Sequence, residues 1–436
     1  MGVKFEMSTV EGWETKRFDE IGTIFSGSTP STSIRSFWDG EIVWVTPNDL
    51  SKLNTPYLCD SGKRITEKGL NGCSTHLLPA GSLVMSSRAP IGYVALPTVQ
   101  FCTNQGCKTI KLKSAFHPEF TYYNVLFNID KIKKLGEGTT FAEITKTALS
   151  TVEFSFPTSV PEQTKIAEVL STVDRAIEQT EALIDKQQRI KTGLMQDLLT
   201  RGIDEHGNLR SEQTHKFKDS PMGRIPVEWE VKKWNQVCSK IQDGTHFSPR
   251  TDSSAEFKYV TSKNIKFGFL DISDVEYIDK IQHDQIYKRC DVCLGDVLLT
   301  KDGANTGNAA INLLNEEFSL LSSVALIRPM KSKLTSMFLL QTILSESGQR
   351  LIKDAMSGLA ITRVTLEIIN DFRMKVPPIQ EQKKIGQFLA VHDERIKSES
   401  NNLAKLRSLK TALMQDLLTG KKRITPLLTE PQEAGA

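Results

Sequence analysis

Residues 191–200 read KTGLMQDLLT, and residues 410–419 read KTALMQDLLT. The two stretches lie 219 positions apart and differ only where Gly193 in the first faces Ala412 in the second. Such a close match at one fixed offset indicates an internal duplication, which has to be recognised before the fold can be predicted.

The duplication extends upstream and has the pattern of a long helix. EQTKIAEVL (162–170) faces EQKKIGQFL (381–389) at the same offset, shortly after the prolines of EFSFPTSVPEQ (153–163) and FRMKVPPIQEQ (372–382). Beyond these prolines Pro and Gly are scarce, and apolar residues recur at helical spacing. The positions are Ile166, Leu170, Val173, Ile177, Ile184, Leu194 and Leu198, then Ile385, Leu389, Ile396, Leu403, Leu406, Leu413 and Leu417.

Each helix is predicted to stop near Gly202 or Gly420, since glycine commonly follows the last helical turn. A helix of about 38 residues measures roughly 57 Å, and it needs a partner that covers its apolar stripe. The obvious partner is its own duplicate, which a two-fold relation between the halves makes antiparallel. Polar residues also fall on heptad positions, where they either fix the register or form solvated edges. They are Thr180, Gln187, Lys191, His392, Glu399 and Lys410.

The segments before the helices have a sequence pattern that is typical of mixed α/β domains. Short apolar runs such as IVWV (42–45) and VLLT (297–300) are bounded by Gly, Pro, Asn, Ser and Thr, which favours strands and turns. Similarity between the halves is weaker here but keeps its order, as in IVWVTPNDL (42–50) and FKYVTSKNI (257–265). The predicted fold is α+β, with two mixed α/β domains joined by two long antiparallel helices that form a coiled-coil bar with an internal pseudo-two-fold repeat. The predicted segments are an N-terminal domain 1–155, a first helix 156–200, a linker 201–227 that runs as an irregular tether, a C-terminal domain 228–376, a second helix 377–420 and a C-terminal tail 421–436.

Composition bounds the class of protein. The 436 residues are 39% hydrophobic and 25% charged with a net charge of +3, which is typical of a soluble globular chain. No apolar run is long enough to span a membrane, and the N-terminus lacks the apolar core of a signal peptide. We therefore expect a cytoplasmic protein. The seven cysteines include one CxxC, Cys290 and Cys293, without a second ligand pair nearby, so we expect reduced, buried thiols and no metal.

Catalytic signatures are missing from the sequence. The glycine-bearing stretch GEGTTF (136–141) lacks the Lys-Ser/Thr ending of a phosphate loop, and no GxGxxG, GxSxG or HExxH occurs. The Asn/Asp-Pro-Pro-aromatic motif of amino-methyltransferases is also absent. The sequence therefore predicts a protein that recognises a partner, with no catalytic residues and no cofactor of its own; an enzyme with an unrecognised site remains an alternative.

The combination of two diverged domains, each followed by a nearly identical helix that opens with EQxKI and ends with KTxLMQDLLT, resembles the specificity subunit of type I restriction-modification enzymes. Further matching stretches are Gly27 to Pro30, residues 42–50 and DGTHFSP (243–249). The two domains differ where TSKNI (261–265) replaces TPNDL and LLSSV (320–324) replaces TNQGC. In the resembled family each domain is a target recognition domain that reads its own DNA half-site, so such divergence is expected.

The resemblance implies a non-catalytic role in DNA methylation and restriction. Each recognition domain would dock in the major groove, and the helical bar would hold two half-sites apart across an unread spacer. Partners would be double-stranded DNA, two methylase subunits and, if present, restriction subunits. S-adenosylmethionine, ATP and Mg would be bound by the partner subunits. The alternative is a non-catalytic tandem-repeat scaffold that binds other proteins, which the modest charge would suit.

Candidate DNA-binding residues are polar or basic side chains on turn-rich loops. Hydroxyls can bond phosphates or bases, arginine suits guanine and Asn or Gln suits adenine, while lysine contributes sequence-independent affinity. Capped turns, an internal salt bridge of Arg88, and buried backbone-bonded amides at Asn48 and Gln105 are the structural alternatives. The candidates are Ser28, Thr29, Ser31, Arg35, Asn48, Arg88 and Gln105 in the first half, and His246, Ser248, Arg250, Lys263, Asn264, Lys301 and Asn305 in the second.

Overall fold

The computed structural model describes residues 10–136, 143–356 and 363–424. The chain divides into two compact units, Met1–Glu181 with Asn401–Ala436 (unit 1) and Ala182–Ser400 (unit 2). The division cuts through both long helices, whereas the sequence boundaries treat each helix as a segment of its own. Most of the predicted GEGTTF stretch and, from residue 425 onward, the predicted C-terminal tail lie outside the described residues.

Unit 1 contains a mixed α/β domain built on two main sheets. Its strands are β1 (Trp13–Arg17), β2 (Gly22–Ser26), β3 (Trp38–Val45), β4 (Tyr57–Leu58), β5 (Arg64–Ile65), β6 (Leu83–Ser86), β7 (Val94–Pro97), β8 (Phe101–Thr103), β9 (Cys107–Leu112) and β10 (Glu153–Pro157). Its helices are α1 (Phe18–Ile21), α2 (Pro47–Leu50), α3 (Glu67–Asn71), α4 (Pro118–Phe127), α5 (Ile129–Lys134), α6 (Lys146–Ser150) and the first part of α7 (Val160–Leu198), with a 3-10 turn at Arg35–Phe37. The sheet orders are β2-β9-β6-β7-β4 and β5-β3-β8, and β1 pairs antiparallel with β10.

Unit 2 repeats this plan. Its strands are β11 (Phe217–Lys218), β12 (Ile225–Pro226), β13 (Glu230–Lys233), β14 (Cys238–Asp243), β15 (Phe257–Val260), β16 (Glu276–Ile278), β17 (Val297–Thr300), β18 (Ala309–Ile311), β19 (Ser319–Leu320), β20 (Val324–Pro329) and β21 (Arg373–Val376). Its helices are α8 (Trp234–Val237), α9 (Lys280–Tyr287), α10 (Ser336–Leu344), α11 (Glu346–Met356), α12 (Leu366–Asp371) and the first part of α13 (Ile379–Leu417). The sheet orders are β14-β20-β17-β18, β16-β15-β19 and β13-β21, with β11 pairing β12.

The two domains share a topology despite their divergent sequences. The order β14-β20-β17-β18 matches β2-β9-β6-β7, and in both three-stranded sheets the central strand has one antiparallel and one parallel neighbour. Buried β-branched and aromatic residues line these strands, such as Val43, Phe101 and Val260, which suits a pleated core surface. The prediction of two repeated mixed α/β domains is therefore confirmed.

The two long helices each contain 39 residues, or about 58 Å at 1.5 Å per residue. Inside unit 1, Lys410 Nζ lies 2.6 Å from Asp174 Oδ1, and Arg407 Nη2 lies 2.6 Å from Glu181 Oε1. From the first pair to the second, the residue number rises from 174 to 181 on α7 and falls from 410 to 407 on α13. The two helix segments therefore run antiparallel within unit 1.

Unit 2 contains the duplicate of one of these contacts. Lys191 Nζ lies 2.5 Å from Asp393 Oδ1, and each partner is offset by 219 positions from its counterpart in the Asp174–Lys410 pair. The two lysines on polar heptad positions therefore form ion pairs across the helix seam, as register-fixing residues would.

Each unit closes its core over the helix ends. In unit 1, Ile166 and Leu170 from the start of α7 and Leu417 from the end of α13 belong to one buried cluster with the domain. In unit 2, Leu198 joins Ile385 and Leu389 in the same way. The apolar stripe that the sequence left without a partner is thus buried against a domain and a second helix segment.

The repeated Glu-Gln at the start of each long helix is buried for a structural reason. Gln163 donates to the carbonyls of Ala115 and Pro157 and accepts from the His117 N–H. Gln382 makes the same three kinds of bond, to the Lys333 and Pro377 carbonyls and from the Thr335 N–H. Both amides therefore fasten the first turn of their long helix to the neighbouring loops.

The neighbouring glutamates bind residues that follow the helix ends. Glu162 accepts from Arg423 Nε at 2.8 Å and Nη2 at 2.9 Å. Glu381 accepts from Arg210, Trp229 Nε1 and the Ile203 N–H. Segment 201–227, predicted as an irregular tether, thus packs into unit 2 and contains β11 and β12. None of the helices in the described ranges combines the length and the hydrophobicity that a membrane-spanning helix requires.

Candidate nucleic-acid interface

In unit 1 the predicted DNA-binding loops meet at one edge of the domain. The Ser28 N–H donates to the Thr103 carbonyl at 2.9 Å, and the Ser87 N–H donates to the Gly106 carbonyl at 2.8 Å. The Asn104 N–H binds the carbonyl of Val45, directly before the α2 turn. Four loops that are distant in sequence are therefore held side by side by backbone hydrogen bonds.

The polar side chains on this edge are partly engaged with one another. The Thr29 hydroxyl donates to the side-chain oxygen of Gln105, and the Ser31 hydroxyl lies 2.8 Å from that of Ser33. Both contacts join side chains, so neither is the side-chain-to-backbone bond of a capped turn. Arg35 and Asn48 are exposed, and neither side chain has a hydrogen bond or ion pair within the described part of the chain. Of the remaining candidates, Ser28 is half-buried, whereas Gln105 and Arg88 are exposed. The alternative of a buried amide describes neither Asn48 nor Gln105.

A charged group lies at the base of this edge. Arg88 Nε is 3.0 Å from Glu143 Oε2, and Lys108 Nζ is 3.5 Å from Glu143 Oε1. The Lys108 side chain is 5% exposed, whereas that of Arg88 is 46% exposed. Lys108 was not predicted as a site residue, because within KTIKL it resembles any strand lysine. The salt-bridge alternative for Arg88 is present, yet nearly half of its side chain faces solvent.

Unit 2 braces its loops with equivalent bonds. The Thr245 N–H donates to the Leu320 carbonyl and the Ser322 N–H donates to the Thr245 carbonyl, both at 2.8 Å. The Lys301 N–H bonds the Ser323 carbonyl at 2.9 Å. The DGTH loop, the loop after β17 and the loop before β20 therefore meet at one edge, as in unit 1.

The predicted residues of unit 2 separate into three groups. His246, Ser248, Arg250 and Asn305 are exposed. Lys263 is half-buried and lies 3.0 Å from Glu276. Asn264 is buried: its carbonyl oxygen accepts from the Thr261 N–H and its amide donates to the Asp271 carbonyl, so this side chain shapes its loop. The backbone-bonded amide expected at Asn48 and Gln105 therefore occurs at Asn264.

A buried carboxylate organises the remaining charges of unit 2. Asp243 is 4% exposed and lies 2.6 Å from Arg289 Nη2, 3.3 Å from Lys301 Nζ and 3.4 Å from His246 Nε2. Lys301 is 7% exposed and Arg289 is 50% exposed. Arg289 follows helix α9 at a distance of 46 residues from Asp243, and no local sequence pattern links the two.

Neither edge contains a metal-binding cluster among its described residues. No group of three or more His, Cys, Asp or Glu side chains suited to a metal occurs in the three described ranges. All seven cysteines are free, but Cys59 and Cys293 are exposed rather than buried. Burial raises the pKa of Cys102, Cys238 and Cys290 to about 12. What the edges offer is hydroxyls, amides and cations held on braced loops, which suits hydrogen bonding to a polar, anionic surface.

Comparison with known proteins shows which protein family the chain resembles. The family model described as the type I restriction modification DNA specificity domain matches residues 10–187 and 226–408. The chain is 28% identical to the type I restriction enzyme MjaIX specificity subunit of Methanocaldococcus jannaschii, over 95% of this chain and 94% of the relative. It is 22% identical to the MjaVIII specificity subunit of the same organism, over 96% and 94%.

A solved structure has the same fold. The S subunit of a type I restriction-modification system from M. genitalium matches with a TM-score of 0.60 at 16% identity, covering 96% of this chain and 99% of that one. The family model matches both halves of the chain separately, in agreement with the duplicated topology. The chain therefore belongs to the specificity subunits of type I restriction-modification systems.

Proposed function

We propose that this chain reads a bipartite DNA target, one half-site with each domain, and positions methylase and restriction subunits on it. One observation supports this most directly. Both units brace equivalent loops at one edge with matching backbone bonds, yet the side chains on those loops differ. A shared scaffold with different exposed groups is what two readers of different sequences need.

The chemistry of the exposed groups suits duplex DNA. The major groove distinguishes all four base pairs by their donors, acceptors and methyl groups. Exposed Asn48, Gln105 and Arg88 in unit 1, and His246 and Arg250 in unit 2, offer different donors and acceptors. Contacts to phosphate would come from hydroxyls and cations on the same loops and would set affinity without sequence information.

The duplicated helix ends support a repeated protein partner. Thr192 and Thr411 are identical and exposed, as are Gln196 and Gln415, so packing within the chain does not explain their identity. Exposed apolar residues are also repeated: Ile190 is 39% exposed and Leu409, at the corresponding position, is 46% exposed. We propose that one methylase subunit docks on each of these two surfaces.

In this assembly the long helices set the distance between half-sites. Two 39-residue helices paired antiparallel would form a bar of about 58 Å, with one reader near each end and an unread spacer between the half-sites. The chain itself would be non-catalytic. The partner subunits would bind S-adenosylmethionine, ATP and Mg, and the target adenine would be flipped into the methylase.

The test is a map of methylated adenines. The chain is co-expressed with the methylase subunit of its own system in a host that lacks adenine methylation, and the host DNA is sequenced for N6-methyladenine. We expect one motif with two short specified sequences separated by unspecified bases. A single uninterrupted motif would contradict the two-reader arrangement. No methylation, together with no duplex binding by the complex at low salt, would favour the scaffold alternative, since phosphate contacts are strongest there.

A further inference from the structure

Both units contain a charged triad in which one carboxylate bridges a half-exposed arginine and a buried lysine. In unit 2 the triad is Asp243, Arg289 and Lys301, with Arg289 Nη2 at 2.6 Å and Lys301 Nζ at 3.3 Å from the carboxylate. The triad of unit 1 is Glu143, Arg88 and Lys108, at 3.0 and 3.5 Å. In both, the lysine is almost fully buried and about half of the arginine faces solvent.

The two triads are built from non-equivalent positions. The apolar runs before Arg88 and Asp302 correspond in sequence, and both residues form isolated antiparallel bridges, to Glu143 and to Arg363. The charge at that position is therefore reversed between the units, and unit 2 takes its arginine from the end of α9 instead. The duplication alone does not explain why the same charge arrangement occurs twice.

Each triad holds its guanidinium in place while leaving donors available. Arg88 Nε lies 3.0 Å from Glu143 Oε2, and its two terminal nitrogens have no hydrogen bond within the described ranges. Arg289 donates from Nη2 to Asp243 and to the Gly244 carbonyl, and its Nε and Nη1 have no hydrogen bond among the described residues. The buried lysine balances the carboxylate, so the triad keeps one net positive charge at the surface. A fixed, planar cation loses less side-chain freedom on binding than a mobile one.

We propose that Arg289 reads a guanine in the half-site bound by unit 2, as Arg88 does in the half-site bound by unit 1, with Asp243 and Glu143 as positioning residues. The inference rests on the proposed bipartite DNA recognition. Guanine presents two acceptors, O6 and N7, in the major groove, and arginine is the side chain that most often binds them. A phosphate contact does not require such an orientation, because a lysine can also bind phosphate as a point charge.

The test compares Arg289→Ala and Arg88→Ala in the complex with the methylase subunit, on a plasmid library in which each base of both half-sites is varied. Arg289→Ala is expected to lower discrimination at one guanine of one half-site by roughly 5- to 150-fold, corresponding to about 1–3 kcal/mol. The other half-site stays unchanged and serves as an internal control. Arg88→Ala is expected to show the reverse.

Two further variants separate reading from structure. Arg224 is an exposed arginine that pairs with Glu212 at 3.0 Å and has no buried lysine beside it in the described part of the chain. Arg224→Ala is therefore expected to leave the motif unchanged. Asp243→Asn keeps the side-chain shape and is expected to weaken selection of the same guanine as Arg289→Ala. If Asp243 had only a structural role, this variant would lower stability without changing the motif.

The outcomes distinguish the two levels of the argument. If the wild-type complex methylates a bipartite motif and Arg289→Ala leaves it intact, or weakens methylation uniformly across all sequences, the role of Arg289 is overturned and the proposed function stands. If the wild-type complex shows no bipartite motif, the proposed function itself fails.

Discussion

Replacing Glu381 by alanine should destabilise unit 2 more than the matching change at Glu162 destabilises unit 1. Glu381 binds Arg210 at 2.5 and 3.2 Å, Trp229 Nε1 at 3.1 Å and the Ile203 N–H at 2.9 Å. The Glu381 and Arg210 side chains are 7% and 9% exposed. The variant thus leaves a buried guanidinium without a counter-charge and two donors without an acceptor.

The magnitude follows from burial. Removing one partner of a buried ion pair costs about 3–5 kcal/mol, because the remaining charge is uncompensated. The lost bonds to Trp229 and Ile203 belong to the same deletion and are not additive with it. Arg423, the partner of Glu162, is 30% exposed, so water can solvate it once the carboxylate is gone. For Glu162→Ala we expect about 1–3 kcal/mol.

The measurement is urea denaturation followed by circular dichroism, with hydrogen exchange to assign each loss to a unit. For Glu381→Ala, faster exchange should be confined to peptides around Ile203, Trp229 and the start of α13. The double variant Arg210→Ala/Glu381→Ala should lose less than the sum of the two single losses, by a coupling of about 0.5–3 kcal/mol. A loss below about 1 kcal/mol for Glu381→Ala, or equal losses at both glutamates, would refute the burial argument.

Three further predictions test the helices, a helix stop and the thiols. Inserting four helical residues after Thr180 should lengthen the bar by about 6 Å and the unread spacer by one to two base pairs at about 3.4 Å each. An unchanged spacer in the methylation map would contradict the proposal that the helices set the distance between half-sites. Gly202→Ala should lower the free energy of unfolding in urea by at least about 2 kcal/mol, because φ is +65° and an added Cβ would overlap Glu381 and Trp229. Gly207→Ala should lower it by about 1 kcal/mol, because Gly207 also has a positive φ but open space around the Cβ. Equal losses of stability would contradict the steric explanation. At pH 8, iodoacetamide should modify the exposed thiols of Cys59 and Cys293 first, because the raised pKa of the buried thiols keeps them protonated. Mass spectrometry would locate the modified residues, and early modification of Cys238 would contradict this prediction.

The long helices were predictable because their signal is local and present twice. Helical spacing between the prolines and the glycines predicts both elements, and the structure places them at Val160–Leu198 and Ile379–Leu417. The order in segment 201–227 was not predictable, since it depends on the Arg210–Glu381 contact across 171 positions. Local sequence patterns identify that segment only as a polar stretch that contains glycine and proline.

The loop clusters were predictable in part. The turn-forming residues around the short apolar runs predicted the loops, and the structure brings those loops together at one edge of each unit. The triads were missed because Asp243 and Arg289, and Arg88 and Glu143, are joined only by the tertiary fold. Asn264 was open to a better reading: Thr261–Asn264 aligns with Thr46–Asp49, where Asp49 accepts from the Thr46 N–H at 2.9 Å. Asn264 accepts from the Thr261 N–H at 3.0 Å, so both side chains cap the same turn.

Comparing the two halves of the chain separates folding from recognition. Identical buried residues, such as Gln163 and Gln382, are explained by the loops that they fasten. The only difference between the opening stretches is structurally neutral, since an added Cβ at Gly193 has no atom within 4 Å and Ala412 is exposed. The identical exposed residues Thr192 and Thr411 fasten no such loop among the described residues, and in the proposed function they belong to the two surfaces on which the methylase subunits dock. Where the loops differ while their backbone bonds agree, the difference lies in what the edges can bind, and that is where specificity has to be sought.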